Sequence, residues 1–218
     1  MEESFGIERL AEFVPKGHLV LLLDLSSSMQ RVARIVPALN AFMRRIPESS
    51  LASLVTFNRD VQVVQQYASP RLLPRFEGDR WHTGIGGHLA GGSQICRALS
   101  VAIPLATKTQ EQGIPTGILL LSDGWSRGDA EYAPLARAGL TMVRKRDIRF
   151  GFFAFVSSEV RQQMEDLVAT LQLREGEVHI SYYEGNDDHE RSAEGSVNAM
   201  ETQHSIWVDT GFGRPRRE

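Results

Sequence analysis

Residues His18 to Met29 read HLVLLLDLSSSM. An unbroken apolar run that ends in a carboxylate and then sets hydroxyls at alternate positions reads as a buried central strand delivering oxygen atoms into a loop. A second such run, Ile118 to Ser122, ends in Asp123 and Gly124. Asp24, Ser26 and Ser28 form a D-x-S-x-S pattern, and a hard divalent cation takes oxygen ligands of this kind. Taken singly, each serine also reads as a group satisfying backbone at a turn. Two carboxylates that end two apolar strands are harder to explain structurally, because burying charge without a partner is expensive.

The segments between and after these strands set the architecture. Val32, Val36, Leu39, Phe42, Met43 and Ile46 recur at helical spacing, with Pro37 predicting either a kink or a helix that starts there. Leu51 to Phe57 and Val61 to Tyr67 are β-rich and separated by Asn58-Arg59-Asp60, which predicts a hairpin. Ala68 to Gly92 is rich in Gly, Pro, Arg and His and reads as a long functional loop. Gly92 and Ser93 then open a helical pattern of Ile95, Leu99, Ala102, Ile103 and Ala106, which Pro104 weakens late.

Beyond the second apolar strand, Asp129 is expected to cap a helix with Tyr132, Leu135, Ala136, Leu140 and Val143 on its inner face. Ile148 to Val156 is a third buried strand, and Ser157 or Ser158 is expected to cap a helix bearing Met164, Leu167, Val168 and Leu171. Val178 to Tyr183 is a last strand, and Asn186 to Gln203 a weak terminal helix. This order predicts a doubly wound (Rossmann-like), mostly parallel α/β sheet of about six strands with one antiparallel edge strand and helices on both faces. Ligands of such sheets sit at the carboxyl ends of the strands beside the point where strand order reverses, which would bring Asp24 and Asp123 to one cleft.

The chain has 218 residues, a length that suits one large or two small domains. The expected division is a leader over 1–17 that packs on the domain, one domain over 18–208, and a flexible tail over 209–218. Net charge −3 and pI 6.1 provide no basic field for nucleic acid, and the run Arg214-Pro215-Arg216-Arg217 is too short to change that. Cys96 stands alone, so it forms no internal disulfide and no thiolate cluster, as suits a reducing compartment. No apolar run approaches the roughly 20 residues that span a bilayer, and no signal peptide is legible. Cytoplasm is the expected location; oligomeric state is not legible.

These residues resemble the von Willebrand factor A domain with its metal-ion-dependent adhesion site. The family pattern is D-x-S-x-S after the first strand, a Thr after glycines at the start of a later helix, and Asp-Gly after the fourth strand. The matching positions are Asp24, Ser26 and Ser28, then Ser93 in Gly91-Gly92-Ser93, and Asp123 with Gly124. The resemblance implies Mg²⁺, with Mn²⁺ or Ca²⁺ as substitutes, held directly by Ser26 and Ser28. Ser93 would bind directly or through water, and Asp24 and Asp123 largely through water. An ion so held is under-neutralised and attracts an Asp or Glu of a partner protein as its last ligand. Ser93 departs from the family's Thr, which removes the methyl that stiffens χ1. Among family members, the chain looks most like bacterial intracellular ones of the tellurite-resistance (TerY-like), stress and phage-defence type, where such modules act as scaffolds.

An enzymatic alternative competes. Gly124-Trp125-Ser126-Arg127-Gly128 matches the G-x-S-x-G of a serine hydrolase, with Ser126 as nucleophile, Asp166 or Asp187 as acid, and His179, His189 or His204 as base. It ranks behind because it leaves Asp24, Ser26, Ser28 and Ser93 unexplained. A haloacid-type phosphatase needs an acid where Ser26 stands, and a dinucleotide site needs its glycines directly after the first strand. His82 and His88 lack a third zinc ligand at workable spacing. Arg80, Trp81, His82 and Trp125 are expected at the rim of the ion, in contact with the partner.

Overall fold

The computed structural model describes residues 17–30, 36–77, 92–126, 129–157 and 160–183. Among these residues, six strands form one sheet: β1 (His18–Asp24), β2 (Leu51–Phe57), β3 (Val61–Ala68), β4 (Thr116–Ser122), β5 (Arg149–Ser157) and β6 (Val178–Tyr183). Their spatial order is β3-β2-β1-β4-β5-β6. All neighbours are parallel except β2 and β3, the predicted hairpin. Strand order reverses between β1 and β4, which places the switch point where the two apolar strands end.

Among the described residues, four α-helices cover the sheet: α1 (Val36–Arg45), α2 (Ile95–Gln110), α3 (Ala133–Lys145) and α4 (Arg161–Leu171). Side chains of a strand alternate between faces, so each apolar run feeds two cores at once. Val20 and Leu22 of β1, with Ile118 and Leu120 of β4, pack under α2, α3 and α4. Leu19, Leu21 and Leu23, with Leu119 and Leu121, face α1 on the other side. Parity then has a consequence for the strand ends: Asp24 continues the even positions of β1 and Ser122 those of β4, both on the side of α2.

Several local expectations are corrected. Pro37 stands in the first turn of the described part of α1, and residues 31–35 before it lie outside the described residues. Pro104 lies inside α2, yet the helix runs on to Gln110, because Ala102, Ile103 and Ala106 are buried against the sheet on either side of it. Leu135 is 59% exposed, and the inner face of α3 is Ala136, Leu140 and Val143. Ser157 belongs to β5, and the residue preceding α4 is Val160, without a side-chain cap. Part of the long loop is core, since Leu73 and Phe76 pack beside α1. Ser158, residues 78–91, the terminal helix expected over 186–203, the leader and the tail lie outside the described residues. No described helix is long and apolar enough to cross a membrane.

A polar network closes the opposite end of the sheet. His18, fully buried, lies 2.7 Å from Thr109 Oγ1 through Nδ1 and 2.9 Å from Ser53 Oγ through Nε2. Thr109 Oγ1 donates to the Ala106 carbonyl at 3.0 Å and so accepts from Nδ1–H, while Ser53 Oγ, which also accepts the Tyr67 N–H, donates to Nε2. Burial lowers the His18 pKa from 6.5 to about 4. A lowered imidazole value means stability that is complete above pH 6.5 and is lost as pH falls towards about 4. In urea unfolding, the variant His18→Gln should show a smaller loss between about pH 7 and about pH 5 than the parent chain. Identical slopes would show that the network does not exclude the imidazolium.

Candidate metal centre

The site is built from three loops at the carboxyl end of the sheet. After β1, Leu25 N–H donates to Phe57 O at 2.6 Å, holding the chain in line with β2 for one more residue. Asp24 Oδ1 then accepts the N–H of Ser26 at 2.7 Å, an Asx turn that swings the serines across the strand end. Ser26 Oγ lies 3.0 Å from Ser28 Oγ, and buried Met29 anchors the turn in the core by α1. Ser26 is buried and Ser28 half-buried, so the hydroxyl pair sits at the boundary of protein and solvent.

The second loop leads into α2. Gly92 has φ 87°, in the left-handed region. Ser93 follows, fully buried, and its Oγ donates to Asp24 Oδ2 at 2.8 Å. The position preceding α2 is Gln94. The third loop follows β4. Asp123 Oδ1 accepts the Trp125 N–H at 3.0 Å, repeating the turn made by Asp24. Gly124 between them has φ 80°, and a Cβ there would lie 2.5 Å from Met164 Sδ of α4, so only glycine fits.

Asp24, Ser26, Ser28 and Ser93 are therefore joined by direct hydrogen bonds, and Asp123 acts on Asp24 through its charge. Asp24 is 0% and Asp123 2% exposed. Burial, and then the Asp123 charge, push the Asp24 carboxyl up to about 7, against hydrogen bonds from Ser122 and Ser26 that favour its ionised form. Two buried acids that oppose each other's ionisation, rimmed by three hydroxyls, fit a hard divalent cation taking oxygen ligands. Among the described residues no three His, Cys, Asp or Glu cluster in a way that would suit a softer metal.

Two residues escaped the sequence reading. Ser122 Oγ donates to Asp24 Oδ2 at 2.5 Å and accepts the Gly124 N–H at 3.1 Å, so it serves both halves of the site. Strand parity was the available signal, since Ser122 is the polar residue that ends the α2-facing positions of β4. Asp129 was expected to cap the helix that follows it; its carboxylate instead caps α2, accepting the Cys96 N–H at 2.5 Å. Burial and then the Asp129 charge push the Cys96 thiol up to about 12, which leaves it inert.

Of the hydrolase set, Ser126 Oγ is engaged by Asp129 Oδ1 at 2.8 Å and Ser93 O at 3.2 Å. Asp166 Oδ1 accepts from Gln162, and the His179 ring stacks on Phe153 at 4.6 Å. Asp187, His189 and His204 lie outside the described residues, as do Arg80, Trp81 and His82 of the expected rim. Trp125 is half-buried beside Asp123.

The von Willebrand factor type A domain model matches residues 18–187. This chain belongs to that family. Domains of this kind are typically protein-interaction modules with metal sites. No curated protein matches the chain by sequence. Among solved structures, the VWA domain of SpRpn10 is similar with a TM-score of 0.50 and 11% identity, covering 80% of this chain and 90% of that one. The manganese-loaded TRAP protein of Plasmodium vivax gives 0.48 and 14%, covering 77% and 68%. A von Willebrand factor type A structure from Catenulispora acidiphila gives 0.47 and 16%, covering 78% and 39%. Identities this low speak to the fold alone.

The raised Asp24 value carries a defined pH dependence for the domain without metal. Its contribution is complete below the ordinary value of 3.8 and is lost as pH rises through about 7. In EDTA, the unfolding free energy of the parent chain should fall relative to that of Asp24→Asn between about pH 5 and about pH 8, while the opposite dependence of His18, present in both chains, cancels from the difference. A variant slope equal to the parent slope would place the buried charge elsewhere.

Proposed function

We propose that the domain is a Mg²⁺-dependent protein-interaction module that engages an Asp or Glu side chain of a partner. The observation that carries this reading is the buried Asp24 carboxyl at the switch point, bonded to Ser93 and Ser122 and opposed by Asp123. Ser26, Ser28 and Ser93 would hold the ion, with Asp24 and Asp123 supplying the compensating charge; Mn²⁺ or Ca²⁺ would substitute. A hydroxyl can present a lone pair to a cation while its proton still goes to Asp24, so the Ser93 bond is compatible with that role. When bound, the ion supplies an electropositive position that a carboxylate can complete.

Binding rather than hydrolysis is the chemistry supported, because the Ser126 hydroxyl is committed to Asp129 and the Ser93 carbonyl. A cytoplasmic scaffold in a bacterial stress-response or defence system of the tellurite-resistance type is the setting we infer. It rests on the composition and on the resemblance of the D-x-S-x-S, Gly-Gly-Ser and Asp-Gly positions to intracellular members. Arg80, Trp81, His82 and Trp125 remain the proposed contacts for the partner.

The test is affinity capture from the native source, with and without EDTA, together with a thermal shift in Mg²⁺. Ser26→Ala should lose both the captured partner and the Mg²⁺-dependent rise in melting temperature while keeping the metal-free melting temperature. Capture that persists in EDTA would overturn the reading.

A further inference from the structure

The loop after β4 reaches across to the start of α2 at two points. Asp129 is buried, and its two carboxylate oxygens are used separately: Oδ2 accepts the Cys96 N–H at 2.5 Å, and Oδ1 accepts the Ser126 hydroxyl at 2.8 Å. Ser126 Oγ also lies 3.2 Å from the Ser93 carbonyl, so its single proton is shared between Asp129 and the backbone of Ser93 itself. Ser93 is therefore bracketed. Its carbonyl is held by Ser126, and the helix that begins two residues later is held by Asp129. Its hydroxyl meets Asp24 at 2.8 Å between these restraints.

This bracket bears on a specific weakness. Serine has no β-branch, so its χ1 is less restricted than that of threonine, and an unsupported hydroxyl would spread over rotamers. The backbone is also loose in principle, since the preceding residue is a glycine at φ 87°. Nothing in the side chain of Ser93 compensates for either freedom. The compensation comes from the neighbouring loop, which is the same loop that carries Asp123.

We propose that Asp129 and Ser126 are positioning residues for the metal centre: they lock the Ser93 loop to the Asp123 loop and hold the Ser93 hydroxyl in its binding orientation. Neither touches the ion. This inference rests on the metal reading above, and outer partners of this kind typically change metal affinity by about 10- to 100-fold when removed. Asparagine at 129 keeps the shape but has one acceptor oxygen, so one arm of the bracket is lost. Alanine at 126 removes the tether to Ser93 and leaves the Cys96 bond in place.

The experiment is Mn²⁺ titration of the full chain, following free Mn²⁺ by electron paramagnetic resonance well below the melting temperature, with metal-free melting measured in EDTA. Asp129→Asn should weaken Mn²⁺ binding by about tenfold or more, and Ser126→Ala by a smaller factor. A merely structural role would lower the EDTA melting temperature and leave the affinity unchanged. Parental affinity in both variants overturns the bracket while sparing the metal reading. A parent chain that takes up no Mn²⁺ overturns both. Ser126→Ala carries the test if Asp129→Asn does not fold.

Discussion

A carboxyl group at the end of a strand buried on both faces must find its donors outside that strand, and Asp24 draws them from three directions. The Ser26 amide comes from its own loop, the Ser93 hydroxyl from the turn into α2, and the Ser122 hydroxyl from the adjacent strand β4. Each donor fixes the path of the segment that carries it. The requirement to satisfy one buried oxygen pair therefore aligns three loops that are remote in the chain, 69 residues apart for Ser93 and 98 for Ser122. The parallel pairing of β1 with β4 is what makes this convergence available. An antiparallel neighbour would have sent its loop to the other end.

Much of this was legible because the central strands are fully apolar. Leu19 to Leu23 and Ile118 to Leu121 have no polar face, so their burial, their parallel pairing and the position of their terminal carboxylates all follow from composition and order. The pairing of Asp24 with Ser26 and Ser28 is likewise local. Other features were hidden because tertiary packing overrides local preference. Pro104 ends helices in isolation, yet α2 passes through it under the weight of the core on either side. Asp129 precedes a helix and has the chemistry of a cap, but the nearest unsatisfied amide in space belongs to Cys96 of a different helix. Ser157 has cap chemistry too, yet it ends β5 in register with Tyr183, and α4 starts only at Arg161.

The two ends of β1 show a contrast in how the fold treats ionisable groups. Asp24 is supported by hydrogen bonds that favour its charged form against burial, whereas His18 at the other end is ringed by hydroxyls of Ser53 and Thr109 that suit its neutral form. Both ring nitrogens of His18 are thus satisfied within the protein at the amino-terminal end of the sheet. The carboxyl end leaves its acids opposed and one of its hydroxyls, that of Ser28, half-buried at the edge of solvent. The proposed metal site falls at the second end, and the difference is one of hydrogen-bond accounting rather than of residue type.

The order of strands also sets when β1 can be protected. As the chain is synthesised, β2 follows soon after β1 and pairs with one edge; the other edge waits for β4, whose Ser122 lies 98 residues beyond Asp24. At ordinary ribosomal rates of roughly 5–20 residues per second, that interval is on the order of 5–20 s. During it an apolar run of five residues with unpaired amides stands open on one side, the kind of edge that nucleates association between nascent chains. The strand that organises the folded domain is thus also a hazard before folding is complete, and the centre at its end cannot assemble until β4 has emerged.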